Sequence, residues 1–148
     1  MFERESGGAV LVRLSPEERA LLVGLAEELR SQLDTGTDDP SLRRLFPPAY
    51  DDDADERAYR ELAGDELLNG RRGALELLAA TARSDRLSPE EADAWLRALN
   101  DLRLVLGTRL DVQEDTLVDA PQSPELAVYG YLSWVQEQLV VALAPAEP

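Results

Sequence analysis

The stretch Leu87–Leu110, LSPEEADAWLRALNDLRLVLGTRL, decides how the rest of the chain is read. Ser88 stands as an N-cap, Pro89 takes the first helical position, and Glu91 follows at the spacing of a capping box. Trp95, Leu99, Leu102, Leu106 and Leu110 then recur every three or four residues and form one apolar stripe down a single helix face. That face must be buried, so the helix is expected at the centre of a bundle. Arg97, Asn100, Asp101 and Arg103 interrupt the stripe, and Asn100 and Arg103 are three apart, a spacing that brings side-chain heads together. With Arg109 they form the candidate polar site. Either they contact a partner, or they satisfy one another inside the bundle and hold its helices in register.

Working outward, Ser15-Pro16-Glu17-Glu18 repeats the same helix-start chemistry. The shared LSPEE does not mark a duplication, because the residues after it diverge. Leu22, Leu25, Ala26, Leu29 and Leu33 give the first helix its buried side, ending near Asp34 with Gly36 as the stop. Ahead of it, Phe2 to Arg4 and Ala9 to Leu14 flank Ser6-Gly7-Gly8, which reads as a short hairpin within residues 1–14 turned by a glycine at positive φ. A lone hairpin is marginal in water and has to pack on the helices.

Between Thr35 and Ala54, the Asp39-Pro40 and Pro47-Pro48 pairs predict loop, with at most one helical turn near Ser41 to Leu45. Asp51, Asp52 and Asp53 lack the alternating ligands and central glycine of a calcium loop, and are read as acids favoured by the N-terminal dipole of the helix that follows. That helix is expected from Asp55 to about Arg83, broken near Gly64, where Asp65 could cap a second segment. Arg71 and Arg72 read as surface arginines rather than a phosphate site. Asp111 to Pro121 predicts loop. Ser123-Pro124-Glu125 opens a last helix that is apolar on more than half its circumference, and Ala144 to Pro148 is expected to fray. On that helix Trp134 and Val141, seven apart, share a side that the core facing Leu132 and Leu139 cannot also bury, so they are the candidate apolar interface. Cover by Phe2, Val10 and Val12 of the same chain, and hence a monomer, is favoured over a homodimer.

The expectation is a single-domain, mainly α bundle of four to six helices over residues 1–148. The 148 residues include neither cysteine nor histidine, which excludes thiolate metal sites and thiol redox chemistry and removes the commonest general base and metal ligand. No catalytic residue, metal or cofactor is expected. All fifteen basic residues are arginine against thirty acids, giving a net charge of −15 that repels polyanions and argues against direct nucleic-acid binding. No stretch reaches the ~20 apolar residues of a membrane span and the N-terminus has no signal core, so a cytoplasmic location is expected.

Three patches together carry a resemblance: Ala98 to Arg103 running into Gly107 to Leu110, Pro47-Pro48-Ala49-Tyr50, and Tyr131 to Glu137. They resemble an actinobacterial family of domains of unknown function whose genes commonly lie near that of the ClpS adaptor and near cysteine-biosynthesis genes. The resemblance implies an oxidative-stress transcriptional regulator that contacts a sigma factor. The redox sensing proposed in that family uses a cysteine pair, and this chain has no cysteine to supply it. The expected function is therefore a non-catalytic regulatory domain acting by protein contact, without a thiol switch. Two alternatives stay open. One is a carboxylate-based enzyme or small-ligand sensor in which Glu91, Asp93 or Asp101 faces Arg103 or Arg109. The other is a direct DNA-binding regulator.

Overall fold

The structure, a computed structural model, describes residues 1–35, 40–42, 45, 52–110 and 124–144. Their order is β1 (Phe2–Arg4), β2 (Val10–Val12), α1 (Pro16–Thr35), a 3-10 turn (Pro40–Leu42), α2 (Asp53–Thr81), β3 (Arg86–Leu87), α3 (Pro89–Arg109) and α4 (Pro124–Leu143). This is the mainly helical bundle with an N-terminal hairpin that the sequence predicts. Gly36, the Pro47–Tyr50 patch, the 111–121 loop, Ser123 and residues 145–148 lie outside the described residues.

Helix starts are set locally. In α3 the Ser88 Oγ accepts from the Glu91 N–H (3.1 Å) while Glu91 Oε1 accepts from the Ser88 N–H (2.8 Å), and Ser15 and Glu18 close the same reciprocal box on α1 at 3.1 Å each. Each box satisfies two backbone donors that a helix N-terminus would otherwise leave unpaired. Of the acidic run, Asp52 caps α2, its Oδ1 accepting from the N–H groups of Ala54 (2.8 Å) and Asp55 (3.1 Å). One expectation fails on α2, which runs unbroken through Gly64 instead of splitting there; its start at Asp53 lies close to the expected Asp55. Gly70 and Gly73 also stay helical, with open space where a Cβ would stand. Packing of Ala74, Leu75 and Leu78 into the core outweighs a propensity penalty of about 1 kcal/mol per glycine.

The hairpin does not stand alone. β2 pairs antiparallel with β1 (Phe2 opposite Val12, Arg4 opposite Val10) and also with β3 (Val10 opposite Leu87), making a three-stranded sheet of order β1-β2-β3. Its turn closes through the Gly8 N–H donating to the Glu5 carbonyl at 2.9 Å, with Gly8 at φ 93°, where a side chain would be strained. Val10, Val12 and Leu87 face inward and are buried. Phe2 meets Trp95 edge-on, ring centroids 6.3 Å apart. The hairpin residues are thus spent on the core and do not cover Trp134 and Val141, which remain exposed, contrary to the expected intramolecular cover.

Arg19 clips these layers together. Its guanidinium donates to the carbonyls of Leu14 (3.0 Å), Val12 (3.2 Å), Ala82 (3.1 Å) and Ser84 (2.7 Å) and to Asp85 Oδ1 (3.1 Å). One side chain thereby caps the C-terminal end of α2 and fixes it to β2 and α1. At the centre, Trp95 is wholly buried, and its Nε1–H donates to Thr81 Oγ1 at 2.7 Å, whose own hydroxyl donates to the Leu77 carbonyl at 2.6 Å. Leu99 and Leu102 continue the buried stripe, while Leu106 and Leu110 are only half-buried.

Candidate functional site

The predicted polar residues of α3 point four ways. Asp101 lies seven residues after Ala94 and four before Val105, on a face that packs inward, and it is only 3% exposed. A lone buried carboxylate would be prohibitively costly, and Arg71 of α2 answers it: Nη1 donates to Asp101 Oδ1 at 2.5 Å and Nη2 to the Leu45 carbonyl at 2.8 Å. Burial pushes the Asp101 carboxyl above the usual carboxylate range, against the opposing pull of the Arg71 hydrogen bond and of the Arg71 and Arg97 charges. Arg71 is therefore no surface-snorkelling residue, and Arg72 beside it pairs with Asp34 at 2.8 Å. Both departures have one cause, since the partners lie on other elements.

Arg97 is exposed and forms an i,i+4 pair with Asp93 at 3.2 Å. Asn100 is half-buried, and its Oδ1 accepts from Arg103 Nη2 at 3.3 Å and from Gln136 Nε2 of α4 at 3.5 Å. Arg103 Nε and Gln136 Oε1 are buried without a hydrogen-bond partner beside this junction. Arg109 leaves the group altogether and pairs with Glu28 of α1 at 3.6 Å. Arg97, Asn100 and Asp101 line a cleft of about 340 Å³ between α2 and α3, together with Glu66, Leu67, Gly70, Arg71 and Ala74. A second cavity, about 40 Å³, is lined by Leu25, Gln32, Val105, Arg109 and Leu132 among others.

The pairing of Glu91, Asp93 or Asp101 with Arg103 or Arg109 that the sequence offered is not formed. Glu91 closes the α3 cap, Asp93 pairs with Arg97, and Asp101 pairs with Arg71 instead of Arg103 or Arg109. Among the described residues, no group of three or more acids is placed to hold a metal ion, and no helix is long and apolar enough to cross a membrane.

On α4, Leu132, Val135 and Leu139 are buried against the bundle, whereas Trp134, Val140 and Val141 are exposed. The Tyr131 ring tilts against Trp134 at 6.3 Å, and its hydroxyl donates to Glu18 Oε2 at 2.6 Å, tying α4 to the first turn of α1. This bond holds the Glu18 carboxyl below its usual range, helped by Ser15 and Arg19 against desolvation. Burial, then the Glu18 carboxylate, pushes the Tyr131 phenol up. The sequence singled out neither Tyr131 nor Gln136 as polar links, because each carries its polar group at the end of a side chain otherwise read as apolar or surface.

Among the described residues, these features define a small helical-bundle domain most of whose arginines pair within the fold and whose exposed large apolar side chains are concentrated on one helix. The chain belongs to the family described as Domain of unknown function (DUF2017), which matches residues 1–143. Its relatives include the oxidative stress regulators AosR of Mycobacterium bovis and Mycobacterium tuberculosis, each 30% identical over 185 positions that cover 95% of this chain and 85% of theirs. Those 185 positions exceed the 148 residues of this chain, so the relatives carry intervening residues that it lacks. The AosR relative in Mycobacterium leprae is 36% identical over 128 residues, 72% of this chain and 59% of the relative's own length. No solved structure matches the chain.

Proposed function

We propose that this domain is a non-catalytic regulator of the oxidative-stress response that works by contact with another protein. The observation that carries this reading is the 30% identity to proteins named oxidative stress regulators over nearly the whole chain. The engagement of its carboxylates and arginines in internal pairs supports a non-enzymatic role, and the exposed apolar face of α4 supports protein contact. A sequence without cysteine has no thiol to switch, so the oxidant signal enters through the partner or through the amount of protein. The partner that the family resemblance suggests is a sigma factor.

The test has two arms. Deleting the gene in its native host should change survival and transcript levels after peroxide challenge, and tagged full-length chain should retain a sigma factor or RNA polymerase in a pull-down at moderate salt. Unaltered peroxide transcripts together with no retained transcription protein would end the reading.

The α2–α3 cleft favours a second reading, a small-ligand sensor, because it combines about 340 Å³ of space with a buried carboxyl of raised pKa. Ligand-dependent thermal stabilisation that disappears in Gly70→Leu, which fills the cleft, would establish it.

A further inference from the structure

The outward side of α4 is an apolar strip with a notch in it. Trp134 (48% exposed), Val140 (49%) and Val141 (65%) are three of the five large hydrophobic side chains exposed among the described residues. Ala127 and Gly130 precede Trp134 by seven and four residues and share its face, and a Cβ on Gly130 would meet nothing within 4 Å. A glycine in mid-helix costs about 1 kcal/mol against alanine, and among the described residues no neighbour uses the space it leaves. Small side chains on a helix surface let another helix approach closely, and a partly exposed tryptophan beside them is the residue type that most often anchors an interface.

Charge identifies the occupant. Helix α4 carries Glu125 and Glu137 and no basic residue, and Glu137 is exposed three residues after Trp134. The chain's own candidates for cover are acidic: residues 111–123 hold Asp111, Glu114, Asp115 and Asp119 without an arginine, and residues 145–148 hold Glu147. A second copy would set Glu137 against itself and one net charge of −15 against another. We propose that this face docks a helix of a different protein, one that seats a bulky apolar side chain in the notch between Ala127, Gly130 and Trp134 and brings Arg or Lys to Glu137. The proposal rests on the protein-contact reading and names its surface and the chemistry of its partner.

The test places the photo-crosslinker p-benzoylphenylalanine at position 141 of the full chain in the native host, with position 67, exposed at the lip of the α2–α3 cleft, as the control. Crosslinked peptides are then sequenced. Position 141 should link to a segment of another protein with helical apolar periodicity and flanking Arg or Lys, and position 67 should not. Glu137→Arg, at an exposed site that leaves the circular dichroism unchanged, should lower the yield at 141 at least tenfold. Links from 141 to residues 111–123, to a second copy or to an acidic segment would overturn the proposal. Links from 67 but not from 141 would overturn it while leaving protein contact standing. No link at either position, combined with an empty pull-down, would remove both.

Discussion

Arg71→Met offers the sharpest test of how the bundle is held. The substitution preserves most of the side chain's apolar length and removes the guanidinium that faces Asp101, whose side chain is 5% exposed, and the Leu45 carbonyl. Breaking a buried pair from one side typically costs about 3–5 kcal/mol, because the remaining charge is left uncompensated. For a chain of this size each kcal/mol lowers the midpoint by about 2–4 °C, so thermal unfolding at pH 7 should drop by on the order of 10 °C.

The pH dependence has a definite sign. Burial already raises the Asp101 carboxyl above its ordinary 3.8, so the folded state binds more protons than the unfolded one, and this group's contribution to stability falls as pH rises through that window. Without Arg71 the folded value rises further. The deficit relative to wild type should therefore be largest at pH 7 and shrink toward pH 4. Removing both partners in Arg71→Met with Asp101→Leu should recover most of the loss, since two apolar side chains replace a pair that is costly to desolvate. Denaturant unfolding at pH 5 and pH 7 checks the set. A single variant within about 0.5 kcal/mol of wild type at both pH values, the level of an ordinary surface change, would refute the view that this pair is a buried tie.

Four further outcomes are expected. Arg19→Met should cost about 2–4 kcal/mol in chemical denaturation by stranding part-buried carbonyls of Val12, Leu14, Ala82 and Ser84, and Arg19→Lys should rescue little because an ammonium cannot reproduce the fork. Tyr131→Phe should cost about 1 kcal/mol at neutral pH. The Glu18 carboxyl is held below its ordinary 4.5, so stability gained from that bond is present above 4.5 and lost as pH falls through the folded value, and melting curves of variant and wild type should converge near that acid limit. Asn100→Ala should lower stability by about 1 kcal/mol, its contacts to Arg103 and Gln136 being long at 3.3 and 3.5 Å. Val141→Glu should leave both the melting temperature and the monomeric mass by light scattering unchanged, because that side chain is 65% exposed; a wild-type dimer that the substitution dissociates would contradict this.

What the sequence revealed is what short-range chemistry encodes. The Ser88–Glu91 and Ser15–Glu18 boxes, the Gly8 turn and the buried run of Trp95, Leu99 and Leu102 each depend on residues within a few positions of one another. The misses are long-range. Arg86 and Leu87 show no strand signal in two residues and become β3 only because β2 offers an unpaired edge. Arg71 finds Asp101 thirty residues away, and nothing in either local pattern announces the other. Gly64 failed as a break because helix propensity is a weak prior that tertiary packing overrides, and Leu68, Ala74, Leu75 and Leu78 of the same helix pack into or against the core. Of the candidate site, the Asn100–Arg103 contact was legible from helical spacing, whereas the separation of Arg109 toward α1 and of Asp101 toward α2 depended on how the helices pack.

The reach of Arg19 bears on how the protein is made. Its acceptors at Ala82, Ser84 and Asp85 lie 63 to 66 residues further along, and the β3 edge that completes the sheet follows directly after them. A ribosome adds about 5–20 residues per second, so the first hairpin and its guanidinium emerge about 3–13 seconds ahead of their partners. Throughout that interval β2 presents an open edge, the kind of strand that nascent chains pair with wrongly, and Ser88 and Glu91 have not yet nucleated the central helix. Residues 82 to 87 thus form the point in synthesis at which the sheet can first close and Arg19 can first find its distant acceptors.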